Sequence, residues 1–172
     1  AALTRAIRQA EPSRLFDGDL DSDLAAITET IHRYVDTKIA LQAHGWHCDN
    51  AYIPLDIIAD LSHLGVFGLT LPEDYEGLGL GKTAMCAVTE ELSRGYIGIG
   101  SLGTRSEIAA ELLLAGGTEE QKRKYLPGIG SGQIITTAVF TEPEAGSDLA
   151  SLRLRATRVD EHYLLRGAKT WI

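Results

Sequence analysis

A single change of period divides this chain. From Leu24 to Leu126 the apolar residues recur at intervals of three and four, as on the buried stripe of an amphipathic helix. Past Gly130-Ser131-Gly132 they come in β-branched runs and in strict alternation. A pattern of period 3.6 laid out as a strand would put apolar and polar residues on both faces, so the two stretches must fold as different kinds of structure. The expected class is α+β, with an all-α helical domain at residues 23–131 and the opening strands of a larger β domain at 132–172. Residues 1–22 form a leader, set off by the acidic, turn-prone Asp17-Gly18-Asp19 and Asp21-Ser22-Asp23.

Within the helical part, Leu24, Ile27, Ile31, Tyr34, Val35 and Ile39 predict a first helix from Asp23 to about Ala43, followed by a loop over 44–52. Pro54 suits a first helical turn; Leu55, Ile58, Leu61 and Leu64 continue the period until Gly65 stops it. An extended segment at 67–72 leads into a glycine-rich loop at 73–81. A third helix is expected at 83–94 and a fourth at 104–115, joined by a turn through Gly98, Gly100 and Gly103. Thr118-Glu119-Glu120-Gln121 has the form of a capping box and opens a fifth helix that ends before Pro127. Residues 134–140 read as a strand. The alternation at 152–159 turns at Asp160-Glu161 into 163–166, which reads as a β-hairpin. The last residues, Lys169-Thr170-Trp171-Ile172, look like mid-strand, so the chain is expected to be a piece of a longer, apparently truncated fold.

Composition narrows the partners. With 16 Lys+Arg against 24 Asp+Glu the net charge is -8, which argues against nucleic acid because a phosphate backbone needs a basic face. The most apolar window, 53–71, is interrupted by Asp56, Asp60 and His63, so no membrane insertion is expected. Cys48 and Cys86 are too few for a disulfide framework and suit a reducing compartment. Arg5, Arg8 and Arg14 with little acid faintly resemble an organelle transit peptide, but a surface helix followed by Pro12 fits better. The bacterial cytoplasm is therefore favoured over the mitochondrial matrix.

Three motifs carry little weight. Gly98-Ile99-Gly100-Ser101-Leu102-Gly103 matches G-x-G-x-x-G, yet a helix instead of a strand leads into it. Gly81-Lys82-Thr83 resembles the end of a phosphate loop, but Glu76 stands where its first glycine belongs. His44, His47 and Cys48 are three potential metal ligands without a second pair, and no metal is expected. Glu90 and Glu91, adjacent on a helix, diverge by about 100° and cannot work as an acid–base pair; one should face solvent and the other a neighbouring helix.

The informative segment is Ala138-Val139-Phe140-Thr141-Glu142-Pro143-Glu144-Ala145-Gly146-Ser147-Asp148-Leu149. A strand ends at Phe140 and opens into a turn where Pro143 stiffens the chain and Gly146 allows close approach of a ligand. Its hydroxyls and amides suit a flat heteroaromatic ring or a phosphate, and equally a hydrophilic turn with side-chain caps.

That segment, with Gly167-Ala168-Lys169-Thr170-Trp171-Ile172 some twenty residues on, resembles the flavin-binding signature of the acyl-CoA dehydrogenase family. Residues 71–80 (LPEDYEGLGL), 90–93 (EELS) and 119–127 (EEQKRKYLP) resemble the same family in the same order, so the likeness covers residues 24–172. It implies an FAD enzyme that oxidises an acyl-CoA, short-chain or branched, to the 2,3-enoyl-CoA, with methylsuccinyl-CoA among the candidates. It also implies that residues 132–172 open a β-barrel-like middle domain, with electron-transfer flavoprotein as acceptor and assembly as a homodimer or homotetramer. An acyl-CoA oxidase or flavin monooxygenase of the same fold, or an inactive flavin- or CoA-binding module, would share these motifs.

Residue by residue, the resemblance places the backbone of Ala138, Phe140 and Thr141 against the isoalloxazine, with the Thr141 hydroxyl near its O4/N5 edge. It places Ser147 on flavin phosphate and the pantetheine or phosphate region of acyl-CoA, and Trp171 and Ile172 beside the ring. Ala138 stands where the family often has an aromatic residue, Phe140 where it often has a small aliphatic one, and Glu144 where it often has glycine or asparagine. The family's catalytic glutamate lies in a C-terminal bundle, so no catalytic residue is nominated in this chain. In the family the segment 98–106 floors the acyl pocket, and Arg105 there suits a second carboxylate on the substrate; a helix salt bridge to Glu107 or Glu111 is the other reading.

Overall fold

A computed structural model describes residues 20–172; the expected surface helix before Pro12 lies outside them. The chain divides into two compact units between Ile135 and Thr136.

The first unit is helical. Helix α1, Ser22–Tyr34, starts where the Asp21 side chain accepts the Leu24 amide at 2.8 Å. It buries Leu24, Thr28 and Ile31 and runs on through a wide π-helical turn, Val35–Ile39, into α2, Ala40–Cys48. The loop expected from His44 is therefore helical as far as Cys48. Trp46 fixes that extension, stacking edge-on against Tyr96 at 6.0 Å between centroids.

Helix α3 is Leu55–His63, α4 is Lys82–Gly95, α5 is Ile97–Gly116 and α6 is Glu119–Gly130. Ile31, Val35, Ile39, Leu61, Val66, Phe67, Val88, Leu92 and Ile99 meet in one core, all at most 3% exposed. A smaller core joins Leu71, Ala110 and Leu126. The capping box stands as expected: Gln121 N–H donates to Thr118 Oγ1 at 3.2 Å, and Thr118 N–H to Gln121 Oε1 at 2.9 Å.

Two expected boundaries move. Helix α6 continues through Pro127 to Gly130. Proline removes one intrahelical bond, but Leu126 and Ile129 on either side of it are buried, and their packing outweighs the loss. Helix α5 starts at Ile97 instead of Thr104, so the G-x-G-x-x-G glycines lie inside a helix. A Cβ on Gly100 would stand 2.0 Å from Ser93 Oγ on α4. The motif is a close helix–helix crossing, and Gly98 to Gly103 form no turn.

The loop at 73–81 is pinned. Leu78 N–H donates to Gly68 O at 2.9 Å, Gly79 to Leu71 O at 2.9 Å and Leu80 to Leu69 O at 2.8 Å. Gly77 sits so close to this pairing that a Cβ would fall 1.9 Å from Leu71 O.

In the second unit, β1, Arg155–Val159, pairs antiparallel with β2, His162–Arg166, in the register Arg155↔Arg166 to Val159↔His162. That is the expected hairpin. The strand expected at 134–140 has no partner among the described residues and is extended chain only; β-branched residues favour the extended backbone, but a ladder needs a second strand. No helix among the described residues is long and apolar enough to cross a membrane.

Candidate functional site

In the second unit the chain leaves its extended run at Thr141 and closes a tight turn. Glu142 N–H donates to Ala145 O at 2.9 Å and Ala145 N–H to Glu142 O at 3.2 Å, with Pro143 and Glu144 at the tip. Pro143 is preset for this turn, as the sequence suggested. Gly146 and Ser147 follow, both exposed, and a Cβ on Gly146 would meet nothing within 4 Å. Asp148 then accepts Ser151 Oγ at 2.5 Å and starts the 3-10 turn Leu149–Ser151.

Behind the turn lies a carboxylate that sequence reading did not single out as functional. Glu142, 6% exposed, accepts the Arg153 amide on Oε2 at 2.7 Å and the Leu154 amide on Oε1 at 3.0 Å. The Lys169 ammonium donates to the same Oε1 at 2.9 Å and to the Phe140 carbonyl at 2.7 Å. Thr170 N–H donates to Thr141 O at 3.1 Å. The Arg153 amide, then the Lys169 ammonium and the Leu154 amide, hold the Glu142 carboxyl well below its ordinary value, at about 2. Glu142 and Lys169 stand 27 residues apart in sequence, and no local pattern joins such positions.

The groups left over around this frame fit a flavin. Among the described residues, none of the backbone N–H groups of residues 136–141 donates a hydrogen bond, and neither do the hydroxyls of Thr141 and Ser147. Thr136 Oγ1 is enclosed and has no partner. Beside these polar groups Val139 and Phe140 are exposed at 37% and 40%. Unpaired donors next to uncovered apolar surface are what a planar ring with a polar edge requires. Trp171, 91% exposed, and Ile172, 68% exposed, end the same unit. Ala138 is half-buried.

In the first unit, Arg105 on α5 folds back along its own helix. Its guanidinium donates to Ser101 O at 3.0 Å and to Ser101 Oγ. The expected alternative, a salt bridge to Glu107 or Glu111, is not formed. Lys82 takes both carboxylates, each at 2.6 Å, because the start of α4 brings its ammonium alongside the two successive turns of α5 that carry them. Arg105 is half-buried and pairs with no carboxylate among the described residues. Next to it Ser106 Oγ is buried without a partner.

Glu91 faces a neighbouring helix, bonding His32 Nδ1 at 2.8 Å and Arg94 Nε at 2.9 Å. His44 and Cys48 lie one turn apart, 3.6 Å between Nε2 and Sγ, and no group of three potential metal ligands gathers among the described residues. Both cysteines are free and exposed.

Helices of this order, followed by a two-stranded antiparallel hairpin, have the arrangement of the helical N-terminal part of an acyl-CoA dehydrogenase. The family model "Acyl-CoA dehydrogenase, N-terminal domain" matches residues 21–133, and the chain belongs to that family. Among relatives, it is 55% identical over 153 residues to (2S)-methylsuccinyl-CoA dehydrogenase of Cereibacter sphaeroides, covering 89% of this chain and 28% of that protein. It is 36% identical to the mitochondrial isovaleryl-CoA dehydrogenase of Bos taurus, covering 89% of this chain and 36% of that one. Among solved structures, a glutaryl-CoA dehydrogenase from Mycobacterium smegmatis in complex with FADH2 superposes with a TM-score of 0.81 at 32% identity, over 91% of this chain and 41% of its own. The chain thus spans between about a quarter and two-fifths of these relatives.

Proposed function

We propose that this chain is the N-terminal part of an FAD-dependent acyl-CoA dehydrogenase whose substrate is a short, branched, dicarboxylic acyl-CoA, with (2S)-methylsuccinyl-CoA as the specific candidate. The observation that carries the reading is the 55% identity to a methylsuccinyl-CoA dehydrogenase, against 36% to an isovaleryl-CoA dehydrogenase over the same share of the chain. Arg105, a half-buried cation with no carboxylate partner among the described residues, supports the dicarboxylic part of it.

Bound FAD supplies the hydride acceptor for α,β-dehydrogenation of the thioester. The residues of this chain position and shield. The backbone of Ala138, Phe140 and Thr141 would hold the ring, with the Thr141 hydroxyl donating to its polar edge. Trp171 and Ile172 would cover it, and Ser147 would bond flavin phosphate and the CoA arm. Arg105 would grip the distal carboxylate. The carboxylate base is assigned to the part of the enzyme beyond these residues. A helical domain over 23–131, a β domain from 132, electron-transfer flavoprotein as acceptor, a homodimer or homotetramer, and the cytoplasm of a bacterium complete the reading. The relative from Cereibacter sphaeroides supports the last of these.

Full-length polypeptide reconstituted with FAD tests it. A yellow protein whose folded state the flavin stabilises is expected, together with dye reduction fastest on methylsuccinyl-CoA among methylsuccinyl-, isovaleryl- and butyryl-CoA. Absence of flavin binding overturns the class, and a preference for isovaleryl- or butyryl-CoA overturns the substrate.

A further inference from the structure

The Phe140 carbonyl and the Thr141 N–H are the two ends of one peptide group. That group is planar and trans, so whatever fixes the carbonyl also fixes the opposite direction in which the N–H points. The Lys169 ammonium fixes the carbonyl, at 2.7 Å. The next peptide group is fixed as well, because Thr141 O accepts the Thr170 amide at 3.1 Å. Consecutive residues, Lys169 and Thr170, therefore hold the peptides on both sides of Thr141. That sets the backbone angles of Thr141, and with them the direction of its unpaired amide and of the Cα–Cβ bond that carries its hydroxyl.

Lys169 is itself held in place. Its side chain is 18% exposed, and a long ammonium stem so enclosed needs a fixed counter-charge. Glu142 provides it at 2.9 Å while bonding the amides of Arg153 and Leu154, which tie the assembly to the chain entering β1. The carboxylate has more claimants than a surface ion pair and stays ionised through the neutral range. None of this is needed merely to close the turn, since the two backbone bonds between Glu142 and Ala145 already do so.

We propose that Lys169 and Glu142 are positioning residues for the flavin: the Glu142-anchored ammonium orients the Phe140–Thr141 peptide and so aims the Thr141 amide and hydroxyl at the ring. The proposal rests on the flavin-binding reading of Thr141 and adds two residues to it.

The test is a double-mutant cycle on FAD affinity in the full-length polypeptide, with Lys169→Met, Thr141→Val and the double variant. Lys169→Met is expected to raise the FAD dissociation constant about tenfold and Thr141→Val about fivefold. Because Lys169 acts through Thr141, adding Thr141→Val to Lys169→Met should cost less than about twofold more. Lys169→Arg, which keeps charged donors, should recover most of the affinity and the wild-type flavin absorption band. The melting temperature of the flavin-free protein reports any general loss of structure separately. Should Lys169→Met fail to accumulate folded, Lys169→Gln, which keeps a shorter uncharged donor, carries the same cycle.

Losses that simply multiply, or wild-type affinity in the Lys169 variant, overturn the proposal. If wild-type protein binds no FAD, it is the underlying flavin reading that has failed.

Discussion

Glu91, 2% exposed in α4, bonds His32 Nδ1 of α1 at 2.8 Å through Oε2, and the same oxygen accepts from Arg94 Nε at 2.9 Å. Asp36, in the π-helical turn, meets the other edge of both partners, His32 Nε2 at 3.3 Å and Arg94 at 2.8 Å. Two acids and two bases thus lock α1 to α4 above the main core. Glu91→Ala would leave His32 and Arg94 facing each other without the buried member. Their own side chains are 27% and 37% exposed, so water recovers part of the loss. A destabilisation of about 1–3 kcal/mol is expected, with Glu91→Gln less severe. Thermal unfolding should fall by roughly 2–4 °C per kcal/mol. An unchanged melting temperature in Glu91→Ala would show that the network contributes no net stability.

Gly77→Ala should be more damaging than its size suggests. The added methyl would lie 1.9 Å from the Leu71 carbonyl oxygen, and backbone on both sides has no rotamer with which to yield. The three bonds that pin Leu78, Gly79 and Leu80 would have to shift together. The loss is expected at about 2–3 kcal/mol, comparable to severe overpacking. Gly81→Ala, whose Cβ would meet nothing within 4 Å, is the control and should change stability by roughly 0.5 kcal/mol or less. Equal melting temperatures for the two variants would refute the steric account.

Much of this architecture is legible from local chemistry. The apolar period locates the helices, the Thr118–Gln121 box fixes one helix start, and alternation around Asp160-Glu161 locates the hairpin. What escapes reading is long-range. Pro127 and the glycines at 98, 100 and 103 are helix breakers by propensity, overridden by burial of Leu126 and by the Gly100–Ser93 crossing. The run at 134–140 has strand-forming residues but no partner strand among the described ones. For the candidate site, resemblance pointed to Thr141 and Ser147. The pairing of Glu142 with Lys169 exists only in the fold, because nothing in the chemistry of an isolated Glu or Lys tells which counter-charge 27 residues away will cover it.

Glu142 also makes the second unit sensitive to acid. Its folded value is about 2 against an ordinary 4.5, so the folded state holds its proton less tightly than the unfolded one. The stabilisation is fully present above pH 4.5 and is lost as the pH falls toward about 2. Glu142→Gln should therefore be less stable than wild type at neutral pH, with the gap narrowing across that window as the wild-type carboxylate takes up its proton. Melting temperatures of both proteins from pH 7 to pH 2 read this out. A gap that stays constant over the whole range would mean that the ionised carboxylate is not what holds the Arg153 and Leu154 amides.

Arg105 gives the sharpest test of substrate. Lys82 occupies Glu107 and Glu111, and among the described residues Ser101 alone steadies the guanidinium, through its carbonyl and hydroxyl oxygens. A planar fork with donors to spare can take a carboxylate through two parallel bonds, which an ammonium cannot match. If the substrate's second carboxylate docks there, Arg105→Ala should lower kcat/KM for methylsuccinyl-CoA by about a hundredfold, the cost of leaving a desolvated charge unpaired. Isovaleryl- and butyryl-CoA, which lack that group, should change by no more than about threefold. Arg105→Lys should fall between wild type and alanine on the dicarboxylic substrate. Ser101→Ala, which removes the hydroxyl half of that support and keeps the carbonyl, should weaken the same substrate a few-fold at most. A dye-linked assay of all three thioesters across these variants decides the matter. A loss equal for the three substrates would assign Arg105 to the architecture of α5, since only a residue that touches the distal carboxylate can discriminate among them.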